Sequence, residues 1–575
     1  MPSSAEVRAQ LTGPGGMFEV VRETVNGRKM DVYKERMRSL REILAAAAGR
    51  GDETFIVYGE ETWGFRPFVE AANGVARALA AQGVGPGDRV AVLSQNNPEW
   101  CLTFWATVAS NAILVGLNGW WKADEIVYGL NDSGSKVLVA DRKRFERIAD
   151  RLHEAPELEH VYLVGCEPSD FPQAADGPAQ LHPFAELTAE PTSELPDVPI
   201  DEDDPAVIFY TSGTTGRSKG AISTHRSMIA NLQNTLYVTV ANAMLGTRSP
   251  LEGGGRTVSL LTSPLFHVSG CHSGLVVGTL AGTQLVIPPG RFDPEVVLRL
   301  IEQHRVTVWS TVPTMVWRVC EYPDRHDFDT SSVTLVAYGG SPSAGELQRK
   351  VRDTFPNVRS TSNAYGLTET SSVATVNSGE DAVRKPWSVG PPVPTVEIRI
   401  EAADGSEAPV GEPGEVCVRG PILMKGYWGK PEATAEAIDA DGWLHTGDVG
   451  FLDDEGFLTI TDRKKDMIIR GGENVYCVEI ENRLVDHPAV ADAAVIGVPH
   501  PELGEEVKAV VQVEPGQTLT EDEVKRWVAA ELADFKVPAY VELWDEPLPR
   551  NASGKLLKNL LRDGGDAAAR FTETL

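Results

Sequence analysis

The segment Tyr210-Thr211-Ser212-Gly213-Thr214-Thr215-Gly216-Arg217-Ser218-Lys219-Gly220 follows directly on the apolar run Ala206-Val207-Ile208-Phe209. The run reads as a buried strand. Between Thr211 and Lys219 fall five hydroxyl residues, two glycines and one lysine. A loop of this kind offers bare backbone amides, hydroxyl donors and a cation, which suits a polyphosphate. It is not a Walker A loop: Ser218 stands where glycine precedes the lysine, and Gly220 stands where Ser or Thr follows it.

The order TSGTTGxxKG resembles the signature loop of the adenylate-forming superfamily, which comprises acyl-CoA synthetases, luciferases and the adenylation domains of peptide synthetases. Further motifs of that family follow in order. Asn363-Ala364-Tyr365-Gly366-Leu367-Thr368-Glu369-Thr370 is similar to its YGxTE motif. Trp443-Leu444-His445-Thr446-Gly447-Asp448 is similar to its TGD motif. Asp462-Arg463-Lys464-Lys465-Asp466, with Gly471-Gly472-Glu473-Asn474, resembles its hinge and glycine loop. Pro549-Arg550-Asn551-Ala552-Ser553-Gly554-Lys555 resembles the stretch with the C-terminal catalytic lysine. Together the motifs span about Ile43 to Arg562, and within the superfamily the chain resembles bacterial fatty-acid-CoA ligases most.

The resemblance implies the chemistry. A carboxylate attacks the α-phosphate of ATP, pyrophosphate leaves, and a thiol, that of CoA, displaces AMP from the acyl-adenylate. Thr211, Ser212, Gly213, Thr214, Thr215, Gly216 and Lys219 would hold the β- and γ-phosphates. Thr368 would donate to the α-phosphate, and Glu369 would ligate Mg2+, a hard ion that prefers such an oxygen. Gly339, Gly340 and Ser341, with Asn363, Ala364, Tyr365 and Gly366, would flank adenine. Asp448, assisted by Arg463, would accept the ribose hydroxyls. Lys555 would bridge the substrate carboxylate and the α-phosphate. Lys465 takes the hinge position, and Gly471 and Gly472 would line the CoA channel after rotation of the C-terminal domain.

Pro264-Leu265-Phe266-His267-Val268-Ser269-Gly270 separates branches of the family. Domains that select α-amino acids carry aspartate after the phenylalanine; His267 here argues against such a substrate. His267, Val268, Val312, Pro313 and Tyr338 are the expected acyl pocket, suited to an aliphatic or aromatic acid and above all to a fatty acid. Asn118-Gly119-Trp120-Trp121 also resembles fatty-acid-CoA ligases, although adjacent tryptophans serve packing equally well. Two alternatives stay open: an acyl-AMP ligase loading a separate carrier protein, and a catalytically silent acyl-binding homologue. A homodimer is also left open. No carrier-like segment follows Lys555.

Bulk composition agrees with this reading. A chain of 575 residues exceeds one hydrophobic core, so two or more domains are expected. The balance of 53 basic against 82 acidic residues gives −29, which opposes nucleic acid and anionic lipid as partners. Six scattered cysteines form no CxxC or CxxH pair and read as buried apolar residues. There is no leader pattern and no apolar run of ~18 residues, so the chain reads as cytoplasmic, without an integral membrane segment.

Strand and helix patterns alternate from Phe55 onward, as in helix-covered parallel sheets. Residues 1 to about 40 are expected to pack on the body as an extension. Glu167 to Asp204, rich in Pro, Asp and Glu, is expected to be a surface linker, and Ala241 to Arg256 a surface loop. Thr520 and Glu523 make a capping box for a helix from Glu521 to Leu532. The expected fold is α/β: a large domain of helix-covered sheets at residues 1–464, with the barrel-like subdomain of the family, and a small mobile α+β domain at 465–575.

Overall fold

The computed structural model describes residues 2–174, 177–211, 217–246, 255–339, 345–358, 361–471, 473–550 and 556–562. Two large sheets dominate. The first has seven strands in the order Gly220–Thr224, Pro205–Tyr210, Ile113–Gly116, Arg89–Leu93, Val137–Asp141, His160–Val164 and Gln180–Pro183. Six run parallel; the edge strand Gly220–Thr224 is antiparallel to its neighbour. Strands Ile113–Gly116 and Val137–Asp141 are buried throughout, as expected for parallel strands covered on both faces.

The second sheet has eight strands, ordered Ser372–Asn377, Thr361–Leu367, Leu335–Gly339, Val308–Thr311, Val258–Leu260, Gln284–Ile287, Thr54–Tyr58 and Glu61–Gly64. Its six inner strands are parallel and both edges are antiparallel hairpin partners. One core unites the two sheets through the helices Leu40–Ala48, Phe65–Ala81 and Pro98–Ala109. The last of these shows why the layers hold: every residue except Glu99 is buried, the pattern of a helix enclosed on all sides. Pro98 occupies its first turn and the Asn97 side chain accepts the Trp100 amide at 2.8 Å, a standard N-cap.

A four-stranded antiparallel sheet follows, Glu397–Glu401, Gly414–Arg419, Leu444–Leu452 and Leu458–Arg463, where the barrel-like subdomain is expected. The last sheet, built from Ile468 to Trp544, has its own core around Val475, Ile480, Val495 and Val511. Its helix Glu521–Ala529 carries the expected Thr520–Glu523 capping box and ends three residues before Leu532. All six cysteines are buried and unpaired.

Two expectations for irregular segments are corrected. The stretch from Glu167 to Asp204 contributes the edge strand Gln180–Pro183 and the short helix Ala185–Thr188, because Phe184 and Leu187 reach the main core between the polar residues. Within Ala241–Arg256, the residues to Met244 complete the helix His225–Met244, with Ala241 buried; residues 247–254 lie outside the described residues. The N-terminal extension is a helix, Ser4–Thr12, and a hairpin, Val20–Val25 with Arg28–Tyr33. Tyr33 ties it to the body by donating to Asn234 Oδ1 at 2.7 Å, and Arg36 pairs with Glu202 at 2.9 Å.

His225 opens its helix fully buried, and its Nδ1 accepts the Leu40 amide at 3.1 Å. Burial pushes its pKa down to about 4, and a cation at a helix N-terminus is further disfavoured. The folded pKa lies below the unfolded value, so this contribution to stability is complete above about pH 6.5 and is lost as pH falls towards 4. Between pH 7 and 5 the wild type should lose on the order of 2 kcal/mol through this residue. Urea midpoints at the two pH values should show a smaller acid shift for His225→Gln; an unchanged shift would assign the acid sensitivity elsewhere.

Candidate active site

The signature loop is the connection of an edge hairpin. Tyr210 and Gly220 are register partners, and the Thr211 amide donates to the Lys219 carbonyl at 2.9 Å. Ser212, Gly213, Thr214, Thr215 and Gly216 lie outside the described residues. Lys219 Nζ stands 4.9 Å from the Tyr427 ring centroid, within cation–π range. The Tyr427 hydroxyl donates to Glu369 Oε1 at 2.8 Å, and burial beside Glu369 raises its own pKa. A single tyrosine thus joins the lysine of one motif to the acid of another. Sequence reading missed Tyr427, since it belongs to no motif and only Gly426 beside it hints at a close turn.

Glu369 sits in a short turn, Thr368–Thr370, between strands Thr361–Leu367 and Ser372–Asn377. The turn is strained: Ser371 has φ 48° and Ser372 φ 112°, a cost of about 1–3 kcal/mol per residue unless the surroundings enforce it. They do. Ser371 Oγ donates to Ser227 Oγ at 2.9 Å, Ser273 and Ser372 hydroxyls meet at 2.7 Å, and Thr370 Oγ1 donates to the Ser372 carbonyl at 2.8 Å. The buried His272 donates Nδ1–H to the Ser371 carbonyl at 3.0 Å. Gly366 is required by close approach, because a Cβ there would lie 1.5 Å from the Ser372 carbonyl oxygen. Gly339 is similar: a Cβ would meet the Ala364 carbonyl oxygen at 2.6 Å.

Asp448 is buried, yet both its oxygens are engaged. Tyr365 donates its hydroxyl to Oδ2 at 2.7 Å, and Arg463 Nε stands 3.1 Å from Oδ1. Asp448 and Arg463 are register partners on adjacent strands, while Tyr365 reaches across from the eight-stranded sheet. A carboxylate held by two donors presents fixed lone pairs to diol hydroxyls. Asn363, Ala364, Tyr365, Gly366, Asp448 and Arg463 all line one cavity of about 1280 Å³.

The same cavity is walled on its apolar side by Trp120, Phe266, Pro313 and Met315; Trp120 packs edge-on to Phe266, with centroids 5.6 Å apart. Of the expected acyl-pocket residues only Pro313 is among the cavity-lining residues. His267 is half-buried behind Phe266, with ring centroids 5.1 Å apart, and burial pushes its pKa down to about 4, so it is neutral near pH 7. Val268 packs against the main core. Val312 precedes Pro313 as the N-cap of the helix Pro313–Cys320. The Tyr338 ring is buried in the core with Trp309 and Phe355, and its hydroxyl bonds Thr361 at 3.0 Å.

Lys465 lies exposed in the turn after Arg463, and Gly471 has φ +59° with its amide donating to the Leu503 carbonyl at 2.8 Å. Gly340, Ser341, Gly472 and Lys555 lie outside the described residues. The residues on either side of 551–555, Arg550 and Leu556, pair as an antiparallel bridge and both line the cavity. Sequence reading also missed a buried charged group beside them. Lys558 Nζ pairs with Glu481 at 2.7 Å, and Asp462, raised to about 6 chiefly by burial, accepts the Cys477 amide.

Glu369 fits a magnesium ligand by chemistry: a half-buried carboxylate, one oxygen accepting the hydroxyl of Tyr427, whose ring meets Lys219.

Comparison with known proteins identifies the family. Residues 43–428 match the model of the AMP-binding enzyme family, and residues 479–555 that of the AMP-binding enzyme C-terminal domain. A feruloyl-CoA synthase of Amycolatopsis sp is 37% identical over 518 residues, 90% of this chain and 95% of that one. A long-chain-fatty-acid–CoA ligase of Bacillus subtilis (strain 168) is 32% identical, over 91% of this chain and 94% of that one. The crystal structure of ATP-bound MatB from Rhodopseudomonas palustris superposes with TM-score 0.78 at 30% identity, over 92% and 99% of the two chains. The chain belongs to the AMP-binding enzyme family, the adenylate-forming enzymes.

Gly366→Ala should lower the unfolding free energy measured by urea titration by a few kcal/mol and abolish adenylate formation. Gly85→Ala, where a Cβ would meet nothing within 4 Å, should stay within about 0.5 kcal/mol of wild type. Equal stability of the two variants would remove the close-approach argument.

Proposed function

We propose that this protein is an ATP-dependent acyl-CoA synthetase acting on a carboxylic acid with an aliphatic or aromatic body. The observation that supports it most is a single cavity in which Asp448, clamped by Tyr365 and Arg463, stands with the apolar wall of Trp120, Phe266 and Pro313. A nucleotide ribose and an apolar acid thereby share one space.

In the first half-reaction the substrate carboxylate attacks the α-phosphorus, the bond to the bridging oxygen breaks, and pyrophosphate leaves. Lys219 and the loop from Thr211 to Gly216 hold the β- and γ-phosphates, Thr368 donates to the α-phosphate, and Asp448 fixes the ribose. Mg2+ held by Glu369 would supply neutralisation of phosphate charge. Lys555 brings a further cation between carboxylate and α-phosphate; Arg550 and Leu556, on either side of residues 551–555, reach the cavity wall, and the half-buried Lys558–Glu481 pair fixes the chain three residues beyond it. In the second half-reaction the CoA thiol attacks the acyl carbon, loses its proton and expels AMP. His267, neutral, shapes the pocket mouth without supplying charge, and Tyr365 and the backbone of Gly339 and Ala364 flank adenine.

The names of the relatives span hydroxycinnamic and long-chain fatty acids, so AMP release over a panel containing both, with and without CoA, is the direct test. AMP release that requires CoA and yields a thioester is the expected result. Release independent of CoA would point to another acceptor, and no turnover on any acid to a binding role.

Two half-reactions on one adenylate need different surroundings, which supports rotation of residues 465–575 against 1–464 about Lys465, with Gly471 and Gly472 then lining the thiol channel. Lys465→Pro, which fixes φ near −65°, should leave pyrophosphate exchange near wild-type and lower thioester yield at least tenfold. A folded variant that makes thioester at the normal rate would place the hinge elsewhere.

A further inference from the structure

The four-stranded antiparallel sheet carries a second cluster of chemically reactive side chains on one face. Cys417 stands opposite His445, and Glu401 opposite Glu415; Glu415 and Cys417, two apart on one strand, point the same way. Ligand atoms of Glu401, Cys417 and His445 all lie within 4.8 Å of one another. His445 Nδ1 is 3.6 Å from Cys417 Sγ, 3.8 Å from Glu401 Oε1 and 3.8 Å from Glu415 Oε2. A tetrahedral zinc ion, with Zn–S of about 2.3 Å and Zn–N and Zn–O of about 2.0–2.2 Å, has S···N edges of about 3.5 Å and N···O edges of about 3.4 Å. The three edges meeting at Nδ1 are therefore within about 0.4 Å of those lengths.

Several groups around the cluster complement it, while the Arg399 guanidinium, which also lies against the Cys417 thiol, must give up that sulfur to a metal. His445 Nε2 faces Asp439 Oδ2 at 3.6 Å, the carboxylate that commonly stands behind a metal-bound imidazole. Asp439 is held for this by its other oxygen, which accepts the amides of Asp441 and Trp443 at 2.9 Å each. Arg399 bonds Glu401 through Oε2 at 2.7 Å, which leaves Oε1 to the cluster. Lys464 bonds Glu415 Oε2 at 2.9 Å and is the group a metal would displace, while Glu415 Oε1 keeps the Gly447 amide at 3.1 Å.

We propose that Glu401, Cys417 and His445, with Glu415 beside His445, form a binding site for a zinc-class divalent cation, separate from the Glu369 position. The mixed thiolate, imidazole and carboxylate set selects Zn2+ or Co2+ over Mg2+. On binding, the Cys417 S–H bond is replaced by a sulfur–metal bond and the proton passes to solvent; no oxidation state changes. Full-length protein, reduced and stripped with a chelator, is titrated with Co2+. One equivalent should give a thiolate-to-cobalt charge-transfer band that Zn2+ removes and excess Mg2+ does not. Cys417→Ser should abolish the band, and Asp439→Asn should weaken Co2+ binding about tenfold. No such band in the wild type, or a band that persists in Cys417→Ser, overturns the proposal. The wild-type titration decides the matter even if a variant folds poorly.

Discussion

The hydrogen bond from Tyr427 to Glu369 is where three distant parts of the chain are brought into one geometry. Its segment is stitched to both sides. The Ile222 amide donates to the Gly426 carbonyl at 3.0 Å and the Lys425 amide to the Ile222 carbonyl at 2.9 Å, which fixes it to the edge of the seven-stranded sheet. The Met424 amide donates to the Glu369 carbonyl at 2.8 Å, which fixes it to the turn on the eight-stranded sheet. With Lys219 over the Tyr427 ring, the positions of Lys219 and the acidic turn become one quantity. Neither sheet alone determines it.

The surroundings of Asp448 are built on the same plan. Asp448 belongs to the antiparallel sheet, Tyr365 to the eight-stranded one, and their hydrogen bond is buried. Its removal from water is what makes the contact a constraint, since a buried carboxylate without donors is costly. Asp448 and Glu369 are therefore held by polar contacts across layers, and the layers by apolar packing within them. The strained Ser371–Ser372 pair is the exception inside a hairpin, and a ring of serine hydroxyls holds it.

Much of this was legible in the sequence, for reasons that can be named. The parallel strands are written as unbroken apolar runs, Val90–Leu93 and Val137–Ala140, and the helix Pro98–Ala109 by its cap and its apolar surface. Gly366 stands out in its motif because the steric demand is absolute. Contacts across layers were not legible: nothing near Tyr427 in the chain announces that its hydroxyl meets Glu369. Asp462, Glu481 and Lys558 likewise read as ordinary surface charges until the fold buries them together. The strand Gln180–Pro183 was hidden because its flanks have the composition of a linker, while Phe184 and Leu187 alone carry the burial. The burial of Tyr338 was hidden too, because alternate residues of a strand face opposite ways and only its neighbour Gly339 approaches Ala364.

The edge strand Gly220–Thr224 has a further bearing, on solubility. An unpaired strand edge is a template for pairing with another chain. Here the outward amide and carbonyl of Ile222, and the Gly220 carbonyl, are taken up by Gly426, Lys425 and Trp428. The segment that aligns Glu369 with Lys219 is therefore also a cap on a sheet that would otherwise continue into a neighbouring molecule. At the opposite edge the last strand ends in Pro183, which has no amide to offer. The contacts that seat Tyr427 against Glu369 and those that block intermolecular sheet growth come from the same short segment, so the two properties are lost or kept together.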